Sequence, residues 1–208
     1  MKSLHRPDLF AWSVFDEPRN VDFNGHLWTR PEGNVLFDPM PMSSHDRAHL
    51  EALGGAAWIM ISNADHARDA ALLCADLGAR VGAPAEEQER GELQALAASA
   101  PVEWIAADAV HGPTGLRCIT MRGSKTKGEF AFLLPGGDVL ITGDLVRAHR
   151  AGSLNLLPDP KLADKAAAVE SVARLAALSG VEAVLVGDGQ SIFRGGRDRL
   201  ADLVGALS

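Results

Sequence analysis

The sequence has few cysteines and no long apolar run, and each shortage excludes a class of protein. Cys74 and Cys118 are its only cysteines, and neither belongs to a CxxC pair, so we interpret both as buried thiols. No window reaches the roughly 18 to 20 apolar residues that cross a bilayer. Residues 1–13 also lack the apolar segment of a signal peptide. We therefore expect a cytoplasmic protein with no membrane partner.

Positive charge and familiar catalytic motifs are also scarce. The formal net charge is −7 and the isoelectric point is near 5.5, whereas nucleic acids and anionic membranes are bound by basic faces. The sequence contains no GxSxG, P-loop or GxGxxG motif. It therefore predicts no nucleic-acid partner and gives no support to a serine hydrolase, a phosphate-loop protein or a dinucleotide-binding enzyme.

The composition is that of a globular domain with a sizeable core. Of the 208 residues, 47% are hydrophobic and 23% are charged, which excludes the depletion typical of disordered chains. We find no internal repeat, low-complexity tract or linker. Residues 1–208 are therefore predicted to form a single domain.

Hydrophobic patterning predicts an α/β protein in which hairpins and strand–helix units are mixed. Strands are predicted over 8–15, 21–30, 34–38, 58–61 and 181–188, a hairpin over 129–144, and helices over 66–78, 85–99, 161–180 and 197–207. Residues 145–160 are expected to be a loop. This order suggests two sheets with helices on the outside. Three aromatic residues, Phe10, Trp12 and Trp28, could cover a homo-oligomer surface or the core of the first sheet, and the core is favoured.

Acidic residues follow three predicted buried strands. Asp65 and His66 come after the apolar run 58–61, Asp144 ends ITGD, and Asp188 ends VLVGD. Ligands of α/β proteins bind at the carboxyl ends of strands, so the three carboxylates converge if these strands are neighbours. Other interpretations stay open: Asp65 as a helix N-cap, His66 as an exposed helix start, and the other two aspartates as turn residues.

Four segments resemble, in order, the landmarks of the metallo-β-lactamase superfamily: GNVLFDP, WIMISNADHARDA, GSKTKGEFAFLLPGGDVLITGD and VEAVLVGDGQS. The resemblance covers roughly residues 20–190. It implies the four-layer αββα sandwich of that superfamily, an α/β (α+β) fold of hydrolases. It also implies a site at the strand ends that holds metal ions in the relatives.

The first metal-binding segment of the family has the pattern THxHxDH, and this chain departs from it. Asn63 and Asp65 stand at the first two histidine positions, Ala67 at the aspartate position and Arg68 at the third histidine position. The departures replace metal ligands by an amide, a methyl group and a cation.

The later metal-binding positions depart as well. In GSKTKGE, Ser124 or Lys125 stands where the family has a histidine. Asp144 keeps the family's aspartate, and Asp188 replaces the last histidine. The resemblance therefore implies a metallo-β-lactamase fold whose metal site has lost most of its ligands.

The altered positions are rich in oxygen and poor in imidazole. Zinc prefers imidazole and thiolate, so we expect no metal; if one binds, Asp65, Asp144 and Asp188 favour Mn or Mg over Zn. A guanidinium cannot be a ligand and repels a nearby cation. We therefore hypothesise that Arg68 and Lys125 replace the metal charge by pairing with Asp144 and Asp188.

Two functions follow from this site. The first is a metallo-β-lactamase-like hydrolase of unknown substrate, using a hard divalent ion or metal-free acid–base chemistry, with catalytic candidates Asp65, His66, Asp144 and Asp188. The second is a non-catalytic protein that binds a small anionic molecule or has a structural or regulatory role, with binding candidates Asn63, Arg68, Lys125 and Arg147. Lys125 is equally interpretable as a solvated loop charge.

Overall fold

The computed structural model describes residues 1–207, and the chain forms two compact units, Met1–Trp104 and Ile105–Ser208. Each unit has its own sheet, helices and apolar core. Among residues 1–207, no helix combines the length and hydropathy that crossing a bilayer requires.

The first unit is built on a seven-stranded sheet whose strands lie in chain order. Its strands are β1 (Lys2–Ser3), β2 (Leu9–Asp16), β3 (Val21–Trp28), β4 (Val35–Phe37), β5 (Trp58–Met60), β6 (Arg80–Pro84) and β7 (Val102–Ile105). Its helices are α1 (Ser44–Ala52), α2 (Ala70–Leu77) and α3 (Gly91–Ala97).

The centre of this sheet is parallel. β4 pairs with β5, and β5 with β6, in parallel, and all residues of β4 and β5 are buried. Parallel strands covered on both faces need continuous apolar runs, and VLF and WIM supply them. Because parallel strands end at the same edge, the residues after β4 and β5 lie side by side. Phe10 and Trp12 belong to the core of this unit, as the favoured interpretation expected.

Two helices of the first unit are shorter than predicted. The helix expected over 66–78 begins only at Ala70, because a 3-10 turn occupies Ala64–His66. The helix expected over 85–99 is divided into a 3-10 turn, Ala85–Glu87, and α3. Arg90 is extended just before α3, and Gly91 is a poor residue for a helix interior.

The second unit contains a five-stranded sheet, a separate strand pair and two helices. The sheet strands are β8 (Val110–His111), β9 (Leu116–Thr120), β10 (Phe130–Leu133), β11 (Val139–Thr142) and β14 (Ala183–Val186), in the order β14-β11-β10-β9-β8. The pair is β12 (Val146–Arg150) with β13 (Ser153–Leu156), and the helices are α4 (Lys165–Ala176) and α5 (Gly196–Leu207). The predicted hairpin over 129–144 is β10–β11.

Two expectations about strands are wrong. Residues 145–160 were expected to be a loop but contain the β12–β13 hairpin, whose short strands carry no clear alternation of apolar and polar residues. The three acid-bearing strands are also not all neighbours: β11 and β14 are adjacent and parallel, whereas β5 belongs to the seven-stranded sheet. Sheet membership depends on long-range pairing, which local sequence does not determine.

Candidate functional site

In the second unit, Asp144 and Asp188 lie two residues beyond a pair of adjacent strand ends. Thr142 of β11 and Val186 of β14 are parallel partners. Both aspartates are buried, at 3% and 0% exposure. Carboxylates so fully removed from water need cationic partners or hydrogen-bond donors.

Arg147, in β12, supplies positive charge to both carboxylates. Its Nη2 lies 2.8 Å from Oδ1 of Asp144 and its Nη1 lies 2.9 Å from Oδ2 of Asp188, and its Nε donates to the Asp144 carbonyl oxygen at 2.9 Å. Lys125 adds a second cation, with its Nζ 2.8 Å from Oδ2 of Asp144. Within this unit, the bridging role that the sequence suggested for Arg68 therefore belongs to Arg147.

The main chain fixes Arg147 and Asp188 against each other. Ala148 N donates to the Asp188 carbonyl oxygen at 3.1 Å, and Gln190 N donates to the Ala148 carbonyl oxygen at 2.8 Å. Gly189 forms a parallel bridge with Ala148 and has a φ of +92°. A Cβ at Gly189 would lie 2.2 Å from the Ala148 carbonyl oxygen, so this approach requires glycine.

Glu129, which was not predicted as a site residue, joins the loop of Lys125 to the loop of Asp144. Ser124 Oγ donates to its Oε2 at 2.5 Å, and Leu145 N donates to its Oε1 at 2.8 Å. Glu129 is 1% exposed. An acidic residue beside the apolar run FAFLL was the available signal, since a buried carboxylate must have a structural or functional partner.

In the first unit, a second buried polar cluster follows β4 and β5. The Asp38 carboxylate accepts hydrogen bonds from Ser62 N at 2.7 Å and Ser62 Oγ at 2.6 Å, and lies 2.9 Å from His66 Nδ1. Burial raises the pKa of Asp38, but the charges of His66 and Arg68 and the hydrogen bonds outweigh it, so the pKa is below its usual value. His66 is 2% exposed, which rules out the exposed helix start.

Asp65 faces away from this cluster toward the surface. It lies in the 3-10 turn Ala64–His66, with a side chain that is 34% exposed and 3.3 Å from Arg90 Nη2. The N-cap position of α2 is held by Asp69, so the interpretation of Asp65 as that cap is wrong. Glu87 supports the turn, because its Oε2 accepts a hydrogen bond from Ala64 N at 2.6 Å.

Asn63 and Arg68 flank the turn. Asn63 is fully buried and its Nδ2 donates to Ser62 Oγ at 3.4 Å. Arg68 has a φ of +33°; its Nη1 donates to the Asp38 carbonyl oxygen at 3.1 Å, and its guanidinium carbon lies 5.9 Å from the centre of the Phe23 ring. Asp38 was not predicted as a site residue, although it follows an apolar strand just as Asp144 does.

Among residues 1–207, no three histidine, cysteine, aspartate or glutamate side chains are arranged so that they could hold a metal ion.

The sequence profile of the Metallo-beta-lactamase superfamily matches residues 1–207, and the chain belongs to that superfamily. The resemblance of the four segments and the α/β fold class that it implied are thereby confirmed. No curated protein sequence matches this chain significantly.

Many solved structures share the fold. A metallo-β-lactamase from Pontibacter korlensis has a TM-score of 0.74 at 16% identity, covering 99% of this chain and 97% of that one. The metallo-β-lactamase FIM-1 from Pseudomonas aeruginosa, in a mono-zinc form, has 0.67 at 17%, covering 95% and 90%. TTHA1623, in a di-iron-bound form, has 0.67 at 23%, covering 91% and 98%. At these identities the likeness shows the fold alone.

Proposed function

We propose that this superfamily member uses protein cations where its relatives use metal ions, and that it binds a small anionic molecule instead of hydrolysing one through a metal-activated water. The observation that carries the proposal is the forked contact of Arg147 with Asp144 and Asp188 at 2.8 and 2.9 Å.

The donor set does not fit the metal ions that the fold implies. A divalent ion at Asp144 and Asp188 would have to displace Arg147, which cannot act as a ligand and repels cations. Breaking a buried ion pair typically costs about 3 to 5 kcal/mol. In the first unit, Asn63 and Arg68 at the family's histidine positions offer one weak oxygen ligand and a further positive charge.

Metal ions lower the pKa of bound water far toward neutrality and so create the attacking hydroxide of many hydrolases. None of the side chains in the Asp144 and Asp188 cluster supplies that effect, because both acids are engaged by cations. A binding role therefore follows more directly from this cluster than a hydrolytic one.

Lys125 is the reason for proposing an anionic ligand. Its side chain is 28% exposed, compared with 10% for Arg147, 4% for Asp144 and 1% for Asp188. The part of the cluster that solvent and ligands can reach is thus a cation. An ammonium at an otherwise closed cluster selects negatively charged ligands.

A metal-free hydrolase is the second candidate. His66 Nδ1 lies 2.9 Å from the Asp38 carboxylate, an arrangement that orients a histidine as a general base. It ranks second because His66 is only 2% exposed.

Metal content tests the first half of the proposal. Protein purified without chelator should contain well below one equivalent of Zn, Fe, Mn or Mg by elemental mass spectrometry. Its thermal midpoint should not change with EDTA or with added Zn, Mn or Mg. One or more equivalents of tightly held metal would refute metal independence.

Turnover and anion binding test the second half. We expect no hydrolysis of ester, thioester, lactone, β-lactam or phosphodiester substrates, with or without added metal. Calorimetric titration with inorganic phosphate and succinate should detect binding that Lys125→Met weakens. The matched control is Lys127→Met, an exposed lysine in the same loop, which should bind like the wild type. Turnover that His66→Asn abolishes would favour the second candidate.

A further inference from the structure

Four arginines of the first unit have guanidinium groups over aromatic rings. Three of them also form an ion pair at 3.2 Å: Arg19 with Asp16, Arg30 with Glu32, and Arg80 with Glu103. Arg68 is the exception, because no carboxylate among the described residues of its unit lies within ion-pair distance.

The environment of Arg68 makes this exception informative. The residue is half-buried, and cations removed from water are normally paired with an acid. The nearest acid is Asp38, but Arg68 reaches only its carbonyl oxygen. The Asp38 carboxylate oxygens are engaged by Ser62 and His66.

The backbone at Arg68 is strained as well. Its φ of +33° lies in the left-handed region, which costs free energy for a residue with a side chain. Such strain concentrates at functional sites, where it holds a group in position. The strained residue here carries a guanidinium whose charge acts on the Asp38 carboxylate but which forms no direct ion pair with an acid among the described residues of its unit.

The aromatic ring of Phe23 lies beside the guanidinium of Arg68. Its ring centre lies 5.9 Å from the guanidinium carbon of Arg68 and 5.5 Å from that of Arg19. Arg19 is 63% exposed and pairs with Asp16. Phe23 therefore lies beside one guanidinium that forms an ion pair and one that forms none with the described residues of its unit.

We infer that Arg68 is the oxyanion-binding group of the first unit, held by Phe23, and that its ligand carries a carboxylate or a phosphate. The inference rests on the proposed binding function and adds to Lys125, in the second unit, an anion-binding residue in the first unit. A guanidinium suits this class because its fork matches two oxygens of one carboxylate or phosphate.

Calorimetric titration with separate anions tests the assignment. Inorganic phosphate, sulfate, acetate and succinate are titrated at constant ionic strength, so that the arms separate phosphate-like from carboxylate ligands. Arg68→Gln should weaken binding about tenfold or more, since hydrogen bonds to charged groups are strong. Arg68→Lys should fall between, because lysine keeps the charge without the fork.

Arg30→Gln is the matched control. Arg30 also lies over an aromatic ring, Trp28, but has Glu32 as its partner. The control should bind like the wild type. Phe23→Leu should weaken binding while leaving the far-ultraviolet circular dichroism unchanged.

The outcomes separate this inference from the proposed function. If Arg68→Gln binds like the wild type while Lys125→Met does not, the assignment to Arg68 is overturned and anion binding stands. If no anion binds the wild type, both are overturned, and metal independence is decided separately by metal content.

A measurement without variants guards against misfolding: phosphate should protect Arg68, but not Arg30, from phenylglyoxal, as mapped by peptide mass spectrometry. Equal modification with and without phosphate would contradict the assignment.

Discussion

At the scale of single residues, the site is defined by buried charges and by which partner each one has. The sequence places Asp144 and Asp188 after buried strands, and the structure has them there. It does not reveal that Arg147 bridges them. β12 has a register shift between Arg147 and Arg150, and an irregular strand has no recognisable local pattern.

Removing Arg147 should be costly. Arg147→Met takes the guanidinium away from the buried carboxylates of Asp188 and Asp144, so we expect the free energy of unfolding to fall by about 3 kcal/mol or more. Urea denaturation measures the change. Arg150→Met is the control, since Arg150 is exposed on the same strand and should change stability by less than about 0.5 kcal/mol.

The double variant Arg147→Met, Asp188→Asn should regain part of the lost stability, because it also removes the buried negative charge of Asp188 that the guanidinium faced. If Arg147→Met unfolds like the control, the guanidinium does not neutralise these acids. The contact of Arg147 with Asp144 and Asp188 would then contribute no stability, and it would no longer support the proposed function.

His26 should make stability depend on pH. It is buried in β3, and burial lowers its pKa to about 4 against the opposing charge of Asp38. The unfolded chain binds this proton near pH 6.5, so the unfolded state takes up more protons as the pH falls. Stability is therefore full at neutral pH and falls between about pH 6.5 and 4, by about 3 kcal/mol for this one group.

His26→Leu should flatten this part of the pH profile of unfolding, measured by urea denaturation at a series of pH values. His45→Leu, at an exposed position of α1, should leave the profile unchanged. The lowered pKa of Asp38 acts in the same direction at still lower pH. An unchanged slope in His26→Leu would show that other groups cause the acid sensitivity.

At the scale of elements, the site depends on loops held by main-chain contacts. The β10–β11 hairpin and the strand after α4 were predictable because their apolar runs and turn residues are strong local signals. The β12–β13 pair was not, since its stability comes from packing and from the bridge between Ala148 and Gly189. The sequence therefore indicated which strands end at the site but not the hairpin that completes it.

Gly189→Ala should disrupt this arrangement. The new Cβ would meet the Ala148 carbonyl oxygen at 2.2 Å, so the loop must move and carry Asp188 away from Arg147. We expect a loss of about 2 to 4 kcal/mol in the free energy of unfolding and weaker anion binding.

Gly137→Ala is the control, because Gly137 also has a positive φ, +75°, but a Cβ added there would have no atom within 4 Å. It should lose only about 1 kcal/mol. Equal losses in the two variants would mean that the close approach to Ala148 is unimportant.

At the scale of the whole molecule, the family and its fold class were the most predictable features, because four landmarks in order constrain topology far more than any one of them. The pairing partners of individual charges were the least predictable. The cytoplasmic location, the absence of a nucleic-acid partner and the single domain over residues 1–208 stay predictions. So does the homo-oligomer that the sequence allows.

The single-domain prediction has a convenient test, because all four tryptophans, Trp12, Trp28, Trp58 and Trp104, lie in the first unit. Tryptophan fluorescence therefore reports on that unit, whereas far-ultraviolet circular dichroism reports on both. A single cooperative domain unfolds with coincident transitions by the two probes. Arg147→Met, in the second unit, should then lower the urea midpoint seen by fluorescence as much as the midpoint seen by circular dichroism. A fluorescence midpoint that stays at the wild-type value while circular dichroism becomes biphasic would show that the two units unfold independently.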